Sequence, residues 1–163
     1  MVFILFISFI ILVRIGELIL SKRNEKWLLQ NHAVEYGQKH YPFIVMLHIL
    51  FIASLIYEYS IQETVSYSLF FLLFYLILLL FKVWVIASLG KFWNTKIYRI
   101  PNSPLIKKGP YKYFKHPNYL IVIGEIATIP MMFHLYYTAV AFTILNLIML
   151  SVRVKEENKA LEF

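Results

Sequence analysis

Residues 67–90, YSLFFLLFYLILLLFKVWVIASLG, form the longest apolar stretch of the chain and contain one charged residue, Lys82. As an α-helix, a stretch of this length would be about 36 Å long at 1.5 Å per residue. The hydrocarbon core of a bilayer is about 30 Å thick. The stretch therefore predicts a transmembrane helix, and it indicates that this part of the chain is surrounded by lipid.

Further apolar runs lie on both sides of this stretch, at residues 2–20, 42–57, 119–134 and 136–152. The whole chain has 163 residues, of which 60% are hydrophobic and 15% charged, so its apolar surface is too large for one small water-soluble core. We expect an all-α polytopic membrane protein with about five transmembrane helices. The last two runs are short, which favours a tilted or partly submerged hairpin.

Lysine and arginine are distributed unevenly between the apolar runs. Segment 21–41 holds four, segment 91–118 holds seven, the chain after residue 152 holds three, and the 58–66 turn holds none. Basic residues favour the cytoplasmic side of a membrane. With five spans, this pattern predicts an external N-terminus and a cytoplasmic C-terminus. It also accounts for the net charge of +7 without a nucleic-acid partner.

The residue types that are missing exclude several kinds of chemistry. The chain has no cysteine, and all nine acidic residues are glutamates. Disulfides, thiolate zinc sites, cysteine nucleophiles and aspartate-containing triads are therefore ruled out. The five glycines are dispersed, which excludes a P-loop and a Rossmann glycine loop. The histidines outside the motif below are scattered without ligand spacing, so we predict no metal site.

Segment 91–118 is long for a connection in a compact helical protein, and such connections are often functional. It contains GPYKYFKHP at 109–117. Pro117 suits the first position of a helix, with His116 at the cap. The free backbone N–H groups of a helix N-terminus attract anions. After the apolar runs 119–134 and 136–152, the chain continues with RVKEENKALEF at 153–163.

Taken in this order, GPYKYFKHPNY, an apolar hairpin and RVKEENKALEF resemble the isoprenylcysteine carboxyl methyltransferase family. The family pattern is Gly-Pro-Tyr, Arg-His-Pro-x-Tyr, and a closing arginine with paired glutamates. The resemblance extends upstream to Leu89, Gly90 and Trp93 and so covers residues 89–163. Lys115 stands where the family usually has arginine, and Ile121 where many members have glycine, departures that bear on the substrate subgroup more than on the cofactor.

The chain has no internal repeat, low-complexity tract or dividing linker, so we expect one integral membrane domain over residues 1–163. By the resemblance, residues 1–88 are scaffold helices and residues 89–163 a cofactor-binding catalytic half. The resemblance implies that S-adenosylmethionine is held at the cytoplasmic side between the last helices and the neighbouring segments. The cofactor contacts that it implies are Tyr111, His116, Pro117, Tyr119, Glu156 and Glu157.

Arg153 and Glu125 are the candidates for catalysis. Arg153 lies where the last apolar run ends, and a guanidinium there could orient a carboxylate or an acidic hydroxyl bidentately. The alternative is a surface pair between Arg153 and Glu157, one helical turn away.

Glu125 lies about two turns into the fourth predicted helix, where a charged group is expensive and suggests function or pairing. One hypothesis is that it pairs with Lys82; the alternative is that the two side chains extend separately to the membrane surface. If Glu125 faces the cofactor, it could instead accept a proton. Arg14 and Glu17, three residues apart, are expected to pair with each other.

The leading hypothesis is O-methylation of a lipophilic small molecule that enters from the bilayer. Membrane lipids surround the protein and are expected to contact its helices. The acceptor would be a carboxylate, as in isoprenylcysteine, or an acidic hydroxyl. Small bacterial members, which this short chain resembles, include enzymes that methylate alkylpyrones, so we expect a bacterial cell membrane.

Two other functions stay open. Phospholipid-type N-methylation would favour the Glu125 carboxylate at the reacting centre, whereas an acidic acceptor favours Arg153. A non-catalytic membrane subunit that has kept the scaffold is the third possibility.

Overall fold

The computed structural model describes residues 1–63 and 66–161. In this part of the chain five α-helices follow one another: α1 Val2–Gln30, α2 Tyr41–Ser60, α3 Leu69–Leu89, α4 Pro117–Met132 and α5 Tyr136–Leu161. Between them lie the strands β1 Val34–Tyr36 and β2 Ile97–Arg99 and the 3₁₀ helices Gly90–Phe92 and Gly109–Lys112. Residues 64–65 of the predicted 58–66 turn, and residues 162–163 at the end of the predicted domain, lie outside the described residues.

Four of the described helices, α1, α2, α3 and α5, are long and apolar enough to cross a bilayer. The predicted class, an all-α polytopic membrane protein, is confirmed. Helix α4 has 16 residues and is as short as predicted, at about 24 Å. The prediction of a short fifth helix is wrong, because α5 continues beyond its apolar run through the charged 153–161 segment.

A small antiparallel sheet, which the sequence did not predict, joins two of the basic segments. Val34 of β1 lies opposite Arg99 of β2, and Tyr36 lies opposite Ile97. Strands of three residues are too short to show a period-two pattern. Helix α5 contacts both strands. All three basic segments therefore meet at one end of the helix bundle, which we call the basic end.

Polar side chains in the second half of α1 hold this end together. The Asn24 side chain donates hydrogen bonds to the backbone oxygens of Trp93, at 2.7 Å, and Gly90, at 3.1 Å. The Asn94 side chain donates to the backbone oxygen of Ser21 at 2.9 Å. These bonds anchor the start of the 91–118 segment on α1 and so position the residues that follow.

At the opposite end, α4 and α5 form the predicted hairpin, which packs on an aromatic core. The rings of Phe3 and Tyr59 stack at 3.7 Å, and Phe133 meets Phe3 edge-on at 5.0 Å. The buried carboxylate of Glu58 accepts hydrogen bonds from the backbone N–H groups of Tyr137, at 3.1 Å, and Thr138, at 2.7 Å. A negative charge at a helix N-terminus is favourable. Helix α2 thus caps α5 and fixes where it begins.

Candidate active site

An apolar cavity of about 400 Å³ lies within the bundle, with wall residues from all five helices. Most of its wall is aliphatic, for example Ile11, Ile44, Val45, Ile52 and Met149. Its volume falls within the range of roughly 300–1,000 Å³ that is typical of small-molecule sites. The cavity therefore suits a lipophilic molecule.

A second, polar cavity of about 90 Å³ lies at the basic end. Its wall comes from the segment that follows α3, from the second 3₁₀ helix and from the facing ends of α4 and α5. The polar and aromatic side chains in this wall are Phe92, Trp93, Asn94, Lys96, Tyr98, Tyr111, Asn118, Tyr119, Arg153 and Glu157.

The two cavities adjoin, because Trp93, Asn118, Tyr119 and Arg153 line both of them. Arg153 is buried in this shared wall. Its Nε donates to the Tyr119 hydroxyl at 2.8 Å, and its Nη2 donates to the backbone oxygen of Thr95 at 2.5 Å. Within the described residues Arg153 forms no ion pair with Glu157, so the predicted surface pair does not occur. A molecule in either cavity would meet the same guanidinium group.

Glu157 lines the polar cavity and connects α5 with the start of α4. The Tyr119 hydroxyl donates to its carboxylate, and His116 Nδ1 lies 3.3 Å from Glu157 Oε2. His116 Nε2 lies 3.1 Å from Asn158 Oδ1. The adjacent Glu157 carboxylate raises the pKa of His116 above its ordinary value, although burial acts against this. The imidazolium form is thereby favoured.

The two adjacent glutamates of the closing motif point to different surroundings. Glu156 pairs with the exposed Lys159 at 2.6 Å and lines neither cavity, whereas Glu157 lines the polar one. Successive residues of an α-helix are about 100° apart, so the two side chains point in different directions. The geometry brings one of the paired glutamates to the polar cavity and leaves the other outside both cavities.

The predicted helix start is confirmed, with His116 at the cap and Pro117 as the first residue of α4. Tyr111 lies on the second 3₁₀ helix and lines the polar cavity. Gly109 begins this helix with φ 53°, and a Cβ there would lie 2.2 Å from Ser88 Oγ and 3.0 Å from Trp84 Nε1. The Gly-Pro-Tyr turn therefore needs its glycine in order to pack closely on α3.

Both predicted ion pairs are confirmed, and the structure joins them into one closed ring of four charges. Arg14 lies 2.8 Å from Glu17 and 2.9 Å from Glu125, and Lys82 lies 2.8 Å from Glu17 and 2.6 Å from Glu125. Arg14, Glu17 and Lys82 line the apolar cavity, but Glu125, which is 1% exposed, lines neither cavity. Its carboxylate is held between two cations.

Sequence reasoning missed several residues of the cavity walls, among them Thr95, Asn118 and Asn146. Asn118 directly follows the His-Pro pair, so its position beside a motif was an available signal. Asn146 is the one amide in the apolar run 136–152, and a polar residue inside a membrane helix is by itself a sign of function. Thr95 gave no such signal.

Comparison with known proteins agrees with this geometry. Residues 68–163 match the model of the isoprenylcysteine carboxyl methyltransferase (ICMT) family. The chain is 41% identical to the uncharacterized protein YpbQ of Bacillus subtilis, over 97% of this chain and 95% of that protein. It is 30% identical to an uncharacterized protein of Haemophilus influenzae, over 93% of this chain and 90% of that protein. No solved structure matches the chain.

The apolar helices and the matched segment together define the class of this protein. It is a membrane methyltransferase that acts on a lipophilic acceptor, which agrees with the apolar cavity. The chain belongs to the isoprenylcysteine carboxyl methyltransferase family. The match begins at residue 68 and not at residue 89, so it includes α3 as well as the motifs that carried the resemblance.

Proposed function

We propose that this chain is an S-adenosylmethionine-dependent O-methyltransferase whose acceptor occupies the apolar cavity and whose cofactor occupies the polar cavity. The observation that carries this proposal is the wall that the cavities share, with Arg153 buried in it. Transfer of a methyl group requires the acceptor oxygen and the methyl carbon to be held in contact and in line. Members of the matched family use S-adenosylmethionine in general, which supports the choice of cofactor.

The side chains of the polar cavity fit the groups of this cofactor. The Glu157 carboxylate can accept hydrogen bonds from ribose hydroxyls or an ammonium group. The rings of Tyr111 and Trp93 suit a flat base or a sulfonium. The N-terminus of α4 suits a carboxylate, and Asn118 and Tyr119 of its first turn line the polar cavity. The predicted contacts His116 and Pro117 line neither cavity, and His116 acts through its contact with Glu157.

At about 90 Å³ the polar cavity is smaller than typical ligand sites of roughly 300–1,000 Å³. We therefore expect the 3₁₀ helix that carries Tyr111 to move outward on binding. This motion would admit the cofactor from the basic end.

When bound, S-adenosylmethionine supplies a methyl group activated by its attachment to a positively charged sulfur. Arg153 binds the ionised oxygen of the acceptor and holds it at the shared wall. Two of its nitrogens are fixed by Tyr119 and Thr95, so the guanidinium keeps one orientation. The aliphatic wall keeps water away from the oxyanion, which strengthens its attraction to Arg153.

The charge at the shared wall favours an acidic acceptor over an amine. Phospholipid N-methylation would be helped by a carboxylate beside the reacting nitrogen, but Glu125 lines neither cavity. An acidic oxygen, either a carboxylate or an acidic hydroxyl, matches Arg153 directly. We propose further that the basic end faces the cytoplasm of a bacterial cell, where the soluble cofactor is present.

Binding of S-adenosylhomocysteine to the purified protein in detergent, measured by calorimetry, tests the cofactor site. We expect the wild type to bind, and Glu157→Gln and His116→Ala to bind at least about tenfold more weakly, a loss of about 1.4 kcal/mol. Glu156→Gln is the matched control, because this glutamate lies next to Glu157 but lines neither cavity. If folded wild-type protein binds no S-adenosylhomocysteine, the non-catalytic subunit becomes the better explanation.

The product identifies the class of acceptor. Membranes that contain the protein would be incubated with S-adenosylmethionine carrying a labelled methyl group, and the labelled lipid would be treated with mild base. A carboxylic ester releases labelled methanol, whereas an ether keeps its label. A labelled quaternary or tertiary amine would instead support the N-methyltransferase alternative and contradict the role of Arg153.

A further inference from the structure

Asn146 is a buried polar residue in the wall of the apolar cavity that has no role in the mechanism above. It lies on α5, and Asn146, Met149, Leu150 and Arg153 all line this cavity. Their spacing of three, four and seven residues places them on one helical face. Asn146 therefore looks into the same space as Arg153, about two turns or 10 Å further from the basic end.

The side-chain amide of Asn146 is 3% exposed, and its Nδ2 has no hydrogen-bond partner within the described ranges 1–63 and 66–161. Buried amides in folded proteins nearly always have partners. On the same face of α5, Leu150 offers no acceptor and Met149 offers only a thioether sulfur, which is a weak one. Because Asn146 lines the cavity while its enclosed Nδ2 is unpaired, a turn of the amide toward the cavity would let the nitrogen pair with a group that the ligand brings.

We infer that Asn146 determines acceptor specificity by donating a hydrogen bond from Nδ2 to an uncharged oxygen of the lipophilic acceptor. This inference rests on the proposed function, in which the acceptor occupies the apolar cavity. The acceptor would then be a lipophilic acid that carries a second oxygen, as a carbonyl or ether, on the order of 10 Å from the oxygen bound by Arg153. A plain hydrocarbon chain would leave the amide unpaired and bind less well, because sites built to hydrogen-bond a ligand reject analogues that lack the group.

Two probes that differ in one oxygen test the inference. Palmitic acid and its mid-chain keto analogue carry the same carboxylate, and the keto oxygen is placed to reach Asn146. Their dissociation constants would be measured in lipid nanodiscs with wild-type protein, Asn146→Leu and the control Ile148→Leu, whose exposed side chain on the same helix lines neither cavity. The ratio of the two constants, compared between variants, cancels the different partition of the probes into lipid.

We expect the wild type and the control Ile148→Leu to prefer the keto acid by at least about tenfold, equivalent to about 1.4 kcal/mol. Asn146→Leu should reduce this preference to less than about twofold, since leucine has a similar size but cannot donate. The inference is overturned if the wild type binds neither probe or binds both equally well. It is also overturned if Asn146→Leu keeps the preference for the keto acid.

The thermal stability of the ligand-free protein separates a ligand site from a structural role. Replacing an unpaired buried amide by a similar apolar group should leave the melting temperature unchanged or raise it. A clear fall in Asn146→Leu would show that the amide already has a partner inside the protein and would contradict the inference. S-adenosylhomocysteine binding is measured on the same samples: if it is present while discrimination is absent, the specificity role fails and the proposed function stands.

Discussion

The ammonium group of Lys82 on α3 lies 2.6 Å from the carboxylate of Glu125 on α4, and both side chains are almost fully buried. Lys82 lies seven residues before the end of α3, and Glu125 eight residues after the start of α4. At 1.5 Å per residue, both are about 10 to 12 Å from the basic end and therefore at membrane depth. With Arg14 and Glu17 they form a ring of two cations and two anions without net charge.

Removing one member of this ring should destabilise the protein more than removing an oppositely charged pair. Lys82→Met or Glu125→Gln leaves one charge uncompensated, and we expect each to lower the free energy of unfolding by about 3–5 kcal/mol. The double variant keeps the Arg14–Glu17 pair and restores neutrality, so its loss should be smaller than that of either single variant. Unfolding in detergent measures all three; strictly additive losses would show that the ring does not act as a unit.

The same double variant tests the hypothesis that Glu125 accepts a proton. If Glu125 only neutralises its cationic neighbours, the folded double variant should keep turnover within a few-fold of the wild type. If Glu125 is a catalytic base, turnover should fall by about 10²–10⁴-fold even in folded protein. Activity normalised to S-adenosylhomocysteine binding distinguishes these results.

Arg153→Lys should impair catalysis while leaving the protein folded. Lysine keeps the positive charge but cannot contact Tyr119, Thr95 and an acceptor in the fixed geometry of a guanidinium. We expect kcat/KM to fall by at least about tenfold, equivalent to about 1.4 kcal/mol of transition-state stabilisation. S-adenosylhomocysteine affinity should change much less. Unchanged kcat/KM would remove Arg153 from the reacting centre.

Gly109→Ala should weaken cofactor binding. The added Cβ would meet Ser88 Oγ at 2.2 Å, and the residue has φ 53°. A left-handed conformation costs a non-glycine residue about 1–2 kcal/mol before any clash. The displaced 3₁₀ helix would carry Tyr111 away from the polar cavity, so S-adenosylhomocysteine affinity should drop by at least about tenfold.

Gly16→Ala is the control for this change. Nothing lies within 4 Å of a Cβ at Gly16, and alanine is the better helix former. The Gly16→Ala variant should bind S-adenosylhomocysteine as tightly as the wild type does, and its stability should be equal or higher. Equal effects of the two substitutions would contradict the proposed packing role of Gly109.

Stability should depend on pH through the contact between His116 and Glu157. The pKa of His116 is raised in the folded state, so this contact contributes fully below the ordinary histidine value of about 6.5. The contribution is lost as pH rises through the raised pKa of the folded protein. The melting temperature should therefore fall as pH rises above about 6.5.

This decrease should disappear in His116→Gln and persist in His32→Asn, which replaces an exposed histidine. Asparagine is chosen because His32 has φ 60°, a conformation that asparagine tolerates. If His116→Gln shows the same dependence on pH as the wild type, another group is responsible.

The orientation of the chain can be tested cleanly, because the protein has no cysteine of its own. Lys108→Cys places one thiol at the basic end, and Glu63→Cys places one at the opposite end, both at exposed positions. If the basic end is cytoplasmic, an impermeant maleimide added to intact cells should label only Glu63→Cys. Labelling of Lys108→Cys alone would reverse the proposed topology.

Much of the fold follows from chemistry along the chain. The apolar runs predicted the helices because a bilayer requires about 20 apolar residues per span. Pro117 predicted the start of α4 because proline fits the first turn of a helix and not its interior. The α5 boundary was wrong because a helix can leave the lipid and continue in water, where charged residues no longer oppose it.

The sequence by itself determined the membrane helices, the side on which the basic segments gather and the family motifs, because these depend on local composition and order. Only the tertiary structure decided that Glu157 and not Glu156 faces the polar cavity, that Arg153 stands between two cavities, and that two ion pairs form one ring. Each of these depends on the rotation of one helix against another. A turn of about 100° exchanges neighbouring residues between the site and the lipid or water, and that angle is set by packing between residues far apart in the chain.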